Sequence, residues 1–186
     1  MNAQADRAAH TSLQRIAIVG MPGAGKTTLA ATLAHMLGLP HIELTRLRWH
    51  PGWVQVAAVH YRQRVTDALR GPAWIVEGTY RQISAVDMQQ VQALIWLDYE
   101  RMVLLWRVLR RTLWRMATHT AAAPGSFEHP GRLFGRQSLL WYILTCTRSA
   151  RKTYAAALAA DGPPLVLRLR HPAPVEHVLA RLQALA

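Results

Sequence analysis

The chain of 186 residues is 51% hydrophobic and carries a formal net charge of +12, from 22 Lys and Arg against 10 Asp and Glu. This length and apolar content suffice for one domain with a full core. The single cysteine excludes a framework of internal disulfides and a zinc site built from several cysteines. The longest apolar run, residues 139–144, is far shorter than the ~20 residues of a membrane span, so we expect a cytoplasmic protein with no membrane partner.

A glycine-rich segment at residues 20–27 matches the pattern G-x-x-x-x-G-K-[ST] and follows an apolar run at residues 16–19. A strand leading into such a loop lets backbone N–H groups surround a polyphosphate, and the helix after the loop directs its positive end at the anion. We expect Lys26, exposed in this loop, to contact the outer phosphates and Thr27 to bind Mg²⁺ through its hydroxyl. A glycine-rich turn without a ligand is the alternative. The predicted nucleotide-binding residues are Gly20, Met21, Pro22, Gly23, Ala24, Gly25, Lys26, Thr27 and Thr28.

Residues 45–53 follow a short predicted strand at 41–44 and contain two arginines and two tryptophans around a Pro-Gly turn. In a phosphate-loop enzyme, the segment after the second strand faces the γ-phosphate across the cleft. Its arginines are therefore candidates to bind an anionic acceptor, and its tryptophans are candidates to stack on a ring. Core tryptophans with solvated arginines are an equally good interpretation. The candidates are Arg46, Arg48, Trp49 and Trp53.

Two later apolar runs end in a carboxylate, Glu77 after residues 73–76 and Asp98 after residues 94–97. The carboxyl ends of strands are where ligands collect in open α/β sheets. Glu77 is therefore placed to hold Mg²⁺ through water or to orient an acceptor hydroxyl. The alternative for Glu77 is a solvent-facing turn.

Residues 99–116 predict a long helix in which Arg107, Arg111 and Arg115 recur every four residues and share one face. Like charges at this spacing repel by roughly a few tenths of a kcal/mol per pair, a cost that is most easily offset where an anion lies opposite. Because this helix follows the strand that ends at Asp98, its first half should pack near the cleft. A solvated basic face and a nucleic-acid-binding stripe are the alternatives.

The remaining segments complete an alternating order of helices and strands. Residues 117–136 are rich in Ala, Pro, Gly and Ser and predict a lid-like loop, from which Arg132 and Arg136 could close onto the nucleotide.

Residues 1–15 are polar, lack the apolar core of a secretory signal, and predict a flexible tail before a single domain at residues 16–186. Further helices are predicted at 26–37, 54–69, 137–158 and from 174 onward, and a last strand at 165–169.

Four motifs occur in order along the chain: the loop at 20–27, WIVEGTYR at 74–81, LIWLD at 94–98 and WRVLRR at 106–111. Together they resemble the bacterial topology-modulation (FlaR-type) proteins, a branch of the adenylate-kinase-like P-loop kinases, and the resemblance covers roughly residues 15–180. It implies a three-layer α/β P-loop NTPase fold, with a parallel five-stranded sheet flanked by helices and a helical or loop lid insertion. It also implies ATP and Mg²⁺ as cofactors, and phosphoryl transfer to a small nucleotide-like or metabolite acceptor.

By this resemblance, Glu77 and Arg81 take the place of the Asp-Gly-x-x-Arg segment of adenylate kinases, and Arg107 and Arg111 that of the lid-hinge arginines. The resemblance thus implies catalytic roles for Lys26, Glu77, Arg107 and Arg111, with Arg81 binding the acceptor. The sequence departs from the branch at Thr45, where an aspartate usually follows the second strand, and at Glu77, which replaces an aspartate. The first departure removes an acceptor-binding or metal-orienting carboxylate.

A nucleotide-gated protein that binds DNA and modulates its topology, with weak or no kinase activity, is the second hypothesis. Its footprint would be the +12 charge and the row of arginines at 107, 111 and 115. No recognition helix or aromatic stacking platform is evident in the sequence. An ATP-dependent kinase is therefore the first prediction, and the acceptor and the oligomeric state are open.

Overall fold

The computed structural model describes residues 13–83, 86–120, 135, 138–161, 163 and 165–185. Residues 1–12 of the predicted tail lie outside these ranges, as does most of the predicted lid, including Arg132 and Arg136. The side chains of Trp53 and Arg81 also lie outside the described part of the chain.

Seven strands lie within the described residues: β1 (Arg15–Gly20), β2 (His41–Glu43), β3 (Trp49–His50), β4 (Val54–Gln55), β5 (Trp74–Gly78), β6 (Ala93–Leu97) and β7 (Leu165–Leu169). Five of them form one parallel sheet in the order β2-β5-β1-β6-β7, and β3 and β4 form a separate antiparallel pair. The predicted sheet is confirmed. Helices cover both faces of such a sheet, which is why its strands are nearly continuous apolar runs rather than alternating ones.

Seven helices accompany the strands within the described residues, apart from short 3₁₀ turns. The first ends at Gly38, whose left-handed backbone (φ 68°) lets its N–H donate to the Ala34 carbonyl, a conformation that glycine adopts without steric cost. The helices are α1 (Lys26–Leu37), α2 (Leu44–Arg48), α3 (Ala58–Ala68), α4 (Tyr80–Ile83), α5 (Arg101–Ala117), α6 (Leu139–Asp161) and α7 (Val175–Leu185). None of the helices in these ranges is long and apolar enough to cross a membrane.

The prediction of one helix over residues 54–69 was wrong in its first turn. Gly52 adopts φ 76° after Pro51, and the chain turns back so that β3 and β4 pair. The Val56 N–H then donates to the Arg48 carbonyl at 3.0 Å, which keeps residue 56 out of a helix. Helix α3 begins only at Ala58.

The predicted tail is three residues too long at its end, because residues 13–15 already belong to the folded domain. Leu13 is buried in the core, and the backbone N–H groups of Gln14 and Arg15 donate to Gln92 Oε1 at 2.6 and 2.9 Å. Arg15 already belongs to β1. The sequence did not reveal this because Gln92, the partner of Gln14 and Arg15, lies far along the chain.

The register of the sheet brings the carboxyl ends of β1, β2, β5 and β6 to one edge. Ile18 of β1 lies opposite Glu77 of β5 and Ile95 of β6, and Glu43 of β2 lies opposite Glu77. Residues in register on neighbouring parallel strands point to the same face. Glu43 and Glu77 therefore lie side by side, next to the loop that leaves β1 at Gly20.

Candidate active site

A cavity of about 1250 Å³ lies at the carboxyl edge of the sheet. Its floor is the loop at residues 22–28, and its walls come from the ends of β2 and β5, from α5 and from the start of α6. Ligands of open α/β sheets bind at this edge. The structure brings Lys26, Thr27, Glu77, Arg107 and Arg111 to this cavity.

The loop owes its shape to two glycines with left-handed backbones, Gly23 (φ 82°) and Gly25 (φ 90°). Gly25 caps the amino end of α1, and the Ala24 N–H donates to the Met21 carbonyl at 3.2 Å. The amino end of a helix carries unpaired N–H groups and a partial positive charge. This loop is therefore built to receive an anion.

Helix α5 packs directly on the loop. A Cβ atom added at Gly23 would lie 2.7 Å from Val108 Cγ2 and 2.9 Å from the Leu104 carbonyl oxygen. Arg107, one residue before Val108, donates from Nη1 to the Ala24 carbonyl at 3.3 Å, and its guanidinium lies 5.7 Å from the centre of the Tyr99 ring. The first half of this arginine-rich helix therefore touches the loop, as the order of elements predicted.

Lys26 is buried, with 8% of its surface exposed, so the expectation of an exposed lysine was wrong. Its Nζ donates to the Met21 carbonyl at 3.2 Å. Burial lowers the pKa of Lys26, the negative charge of Glu77 opposes that shift, and the positive charge of Arg111 adds to it. The loop thus holds a partly desolvated ammonium whose interaction with a phosphate would be stronger than in water.

Glu77 is 1% exposed, which excludes the alternative of a solvent-facing turn. Its Oε1 accepts from the Thr27 hydroxyl at 2.8 Å, whereas its Oε2 has no hydrogen-bond partner among the described residues. Burial raises the pKa of Glu77, and Lys26 and the Thr27 hydroxyl lower it. A buried carboxylate oxygen without a partner, next to a threonine hydroxyl, fits a hydrated Mg²⁺, which prefers oxygen ligands.

At the same edge of the sheet, five residues from β2, α2, α4 and the turn after β5 form what we call the acceptor wall. Glu43 accepts from Arg46 Nε at 2.9 Å. The Thr45 hydroxyl accepts from Gln82 Nε2 at 3.3 Å, and Gln82 Oε1 accepts from the Thr79 N–H at 2.8 Å. The wall is formed by Glu43, Thr45, Arg46, Thr79 and Gln82, all of which line the cavity.

Sequence reasoning missed Glu43 and Gln82. The signal for Glu43 was present, because the run His41-Ile42-Glu43 ends in a carboxylate in the same way as the run before Glu77. We placed the end of this strand one residue too late, so attention fell on Thr45. Gln82 has no local signal, since its partner Thr45 lies 37 residues earlier in the chain.

The other predicted acceptor residues lie in different places. Trp49 lines the cavity. The guanidinium of Arg48 lies 4.8 Å from the centre of the Tyr61 ring, and Arg48 is not part of the cavity lining. Arg46 lines the cavity, but it forms the ion pair with Glu43.

Asp98, the second carboxylate that the sequence placed at this edge, belongs to a structural cluster. Its Oδ1 accepts from Arg151 Nε at 2.6 Å, and its Oδ2 accepts from Arg168 Nε at 2.9 Å. The Arg168 guanidinium also lies 4.3 Å from the centre of the Trp96 ring. Asp98 thus ties α6 to β6 and β7.

Comparison with known proteins agrees with this architecture. Residues 16–76 match the model of the ATPase family associated with various cellular activities (AAA), a span that contains the loop and ends one residue before Glu77. No curated protein sequence matched the chain.

Solved structures of similar fold cover nearly the whole chain. Shikimate kinase from Acinetobacter baumannii, in complex with shikimate, is 18% identical with a TM-score of 0.58 and covers 95% of this chain and 94% of its own. Shikimate kinase from Aquifex aeolicus is 12% identical, with a TM-score of 0.55, over 91% of this chain and 96% of its own. A sugar kinase from Janibacter sp. is 16% identical, with a TM-score of 0.53, over 92% and 93%. The chain therefore has an α/β P-loop kinase fold, which confirms the predicted fold class.

Proposed function

We propose that this chain is a kinase of the adenylate-kinase-like type that transfers the γ-phosphoryl group of Mg-ATP to a small acceptor. The observation that carries the proposal is the pair of Thr27 and Glu77, in which one buried carboxylate oxygen has no partner among the described residues and lies at the cavity beside Lys26. The kinases of similar fold support the proposal at the level of reaction class. Membership in the topology-modulation branch is part of the proposal and rests on the sequence resemblance.

In the proposed reaction, an acceptor hydroxyl oxygen forms a bond to the γ-phosphorus while the bond from that phosphorus to the β–γ bridging oxygen breaks. The electron pair of the broken bond stays on ADP, and the hydroxyl proton passes to a carboxylate or to water. Transfer of this kind asks the protein mainly to position the partners and to stabilise negative charge. Mg²⁺, when bound, would neutralise charge on the phosphate oxygens and help to align them.

The chain's own residues divide this task. Lys26 supplies a fixed positive charge at the loop, and Arg107 lies against the loop, where its guanidinium can exchange the Ala24 carbonyl for a phosphate oxygen. Glu77 and the Thr27 hydroxyl supply the oxygens that suit Mg²⁺. Glu43 and Glu77, side by side at the strand ends, are the carboxylates near enough to orient the acceptor or take its proton.

The experiment is a calorimetric titration of Mg-ATP into the parent protein and into Lys26→Met. Losing a charge-assisted contact of this type costs about 1.5–3 kcal/mol, so affinity should fall roughly ten- to hundredfold. Lys152→Met is the matched control, because Lys152 is the chain's only other lysine and is exposed on α6. Equal Mg-ATP affinity in all three proteins would overturn the proposal.

The nucleic-acid hypothesis has less support from the arrangement of charges. Arg107, Arg111 and Arg115 all line the cavity, so the row that would form the footprint on DNA faces the proposed nucleotide site. A nucleic-acid partner and a cytoplasmic location stay predictions from the sequence.

A further inference from the structure

The charge of the acceptor wall bears on which acceptor the cavity can hold. The wall contains one carboxylate, Glu43, and one guanidinium, Arg46, and these two are already paired at 2.9 Å. Arg46 is anchored to Glu43 although 70% of its side chain is exposed. Glu77, the immediate neighbour of Glu43 across the strands, adds a second carboxylate on the same face. The described part of this wall therefore offers no uncompensated positive charge.

An anionic acceptor would fit this wall poorly. Carboxylate and phosphate groups are recognised in proteins by arginine forks whose N–H donors are free to bind them. Arg46 would have to leave Glu43, or share its donors with Glu43, while two carboxylates repel the incoming anion. Arg48, the other arginine of this segment, lies over Tyr61, outside the cavity.

A neutral hydroxyl-bearing acceptor fits better. The Thr45 hydroxyl accepts from Gln82 and still has a proton to donate, and the Glu43 carboxylate, paired with Arg46, still has lone pairs that can accept, so the wall can bind hydroxyl groups both as acceptors and as donors. Trp49 lines the same cavity and adds an aromatic side chain that an apolar ring face can contact. A small number of placed polar groups on an otherwise apolar surface is the usual form of a small-molecule site.

We infer that the acceptor is a neutral polyhydroxylated molecule of the sugar or polyol class, and that the pair of Glu43 and Arg46 determines this specificity. The inference rests on the proposed kinase function. It assigns to Glu43 a role in selecting the acceptor, separate from the role of Glu77 beside Thr27.

The test uses a panel of small aldoses and alditols, each matched with the aldonic acid and the monophosphate of the same carbon number. ADP formation from Mg-ATP is followed with each compound. The neutral members should stimulate the parent enzyme, and the matched acids and phosphates should stimulate it at least about tenfold less. In Glu43→Gln, Arg46 is released, so the ratio of anionic to neutral rates should rise by about tenfold or more.

Two further variants control this result. Glu43→Gln combined with Arg46→Ala should lose the gain in anionic rates, because the released guanidinium is gone. Asp67, exposed on α3, forms a second i,i+3 ion pair with Arg70, which follows the helix. Asp67→Asn removes this carboxylate and should leave the ratio of anionic to neutral rates unchanged. The single variant Arg46→Ala keeps the test usable if Glu43→Gln fails to fold, because the Arg46 side chain is largely exposed. The Arg46→Ala protein should retain the preference for neutral acceptors.

The inference is overturned if an acid or phosphate is the best acceptor of the parent, if no neutral member stimulates it, or if Arg46→Ala loses the preference for neutral acceptors. An unchanged ratio in folded Glu43→Gln would also overturn it. Mg-ATP affinity, measured on the same samples, separates these outcomes from failure of the proposed function. A parent that does not bind Mg-ATP contradicts both proposals, whereas one that binds Mg-ATP and prefers anions contradicts only this one.

Discussion

Glu77 is a charged side chain that the fold keeps away from water at the point where Mg²⁺ is proposed to bind. Burial raises its pKa above the ordinary value of 4.5, although Lys26 and Thr27 act in the opposite direction. For a carboxyl group whose pKa is raised by folding, the stabilising contribution is present below the unfolded pKa and is lost as the pH rises through the folded pKa. Without a bound cation, the folded protein is thus less stable when Glu77 is ionised, which is the form that binds a cation.

This conflict predicts two pH dependences of opposite sign. As the pH falls through the raised pKa of Glu77, the Mg-ATP affinity of the parent should fall, by up to about tenfold per pH unit. Over the same range the free energy of unfolding of the ligand-free parent should rise relative to that of Glu77→Gln, which has no carboxylate to protonate.

Calorimetry and urea denaturation between mildly acidic and neutral pH would measure both quantities. A Mg-ATP affinity that varies with pH equally in the parent and in Glu77→Gln would show that Glu77 does not interact with the bound cation. A parent and a variant with parallel stability profiles would show that its burial costs nothing.

At the scale of elements, the contact of α5 joins the arginine helix to the loop at which we propose that the nucleotide binds. This contact needs glycine at position 23, because a Cβ there would meet Val108 and the Leu104 carbonyl. Gly38, at the end of α1, shares the left-handed backbone (φ 68°) but has nothing within 4 Å of an added Cβ. Alanine substitutions at the two positions therefore distinguish the cost of backbone strain, present in both, from the cost of a packing clash, present only at Gly23.

We expect Gly38→Ala to lower the free energy of unfolding by about 1–2 kcal/mol, the cost of a left-handed residue with a side chain. Gly23→Ala should lose about 1–3 kcal/mol more because α5 must move away from the loop, and its Mg-ATP affinity should fall as well. Urea denaturation with and without Mg-ATP measures both effects. Equal losses in the two variants, with nucleotide affinity kept, would mean that α5 does not set the geometry of the loop.

A second prediction at this scale concerns the two sides of α5. Arg107→Ala should lower Mg-ATP turnover by roughly thirty- to nearly a thousandfold, from about 2–4 kcal/mol of transition-state stabilisation, with a smaller effect on Mg-ATP affinity. Arg110→Ala, on the exposed side of the same helix, is the matched control and should change turnover little. Similar losses in both variants would contradict a role for Arg107 at the phosphates.

The elements that sequence reasoning recovered have strong local signals. The five strands of the sheet, α1 with Gly38 and the long α5 each show an apolar run, a helical period or a glycine cap. The hairpin of β3 and β4 has only two residues in each strand, too few for a period, and its turn depends on Pro51 and Gly52. The end of β2 was placed one residue late because Leu44 continues the apolar run while starting α2.

The site was predictable to the extent that it is local in sequence. The loop and Glu77 could be located from single segments, and the structure brings them to one cavity, although their roles stay predictions. The ion pair of Glu43 with Arg46, the contact of Gln82 with Thr45 and the turning of Arg48 onto Tyr61 depend on which elements meet in space. Thr45 stood out in the sequence because an aspartate was expected at that position, whereas the acceptor wall already has a carboxylate at Glu43.

At the scale of the whole molecule, the net charge of +12 is the feature that the proposed reaction explains least. Part of the positive charge faces the cavity, through Arg107, Arg111 and Arg115, and part is balanced by Asp98, which pairs with Arg151 and Arg168. A basic surface binds DNA without sequence preference and loses affinity steeply with salt. DNA binding alone is therefore a weak criterion for function.

The kinase account predicts that any affinity for duplex DNA is unaffected by Mg-ATP and is lowered to a similar small extent by Arg110→Ala and Lys152→Met, both at exposed positions. Fluorescence anisotropy with a labelled duplex, over a series of salt concentrations, measures this. DNA affinity that changes about tenfold or more on adding Mg-ATP would instead favour a nucleotide-gated nucleic-acid binder.

We propose that this protein transfers the γ-phosphoryl group of ATP to an acceptor. The most direct test of that proposal follows the γ-phosphoryl group itself. ATP carrying a radioactive γ-phosphate is incubated with Mg²⁺, the protein and the panel of sugars and polyols. The account predicts that the label enters an organic product with the parent and with Lys152→Met, and does not do so with Lys26→Met. Label found only in inorganic phosphate, at a rate that no acceptor changes and that Lys26→Met shares, would contradict the account.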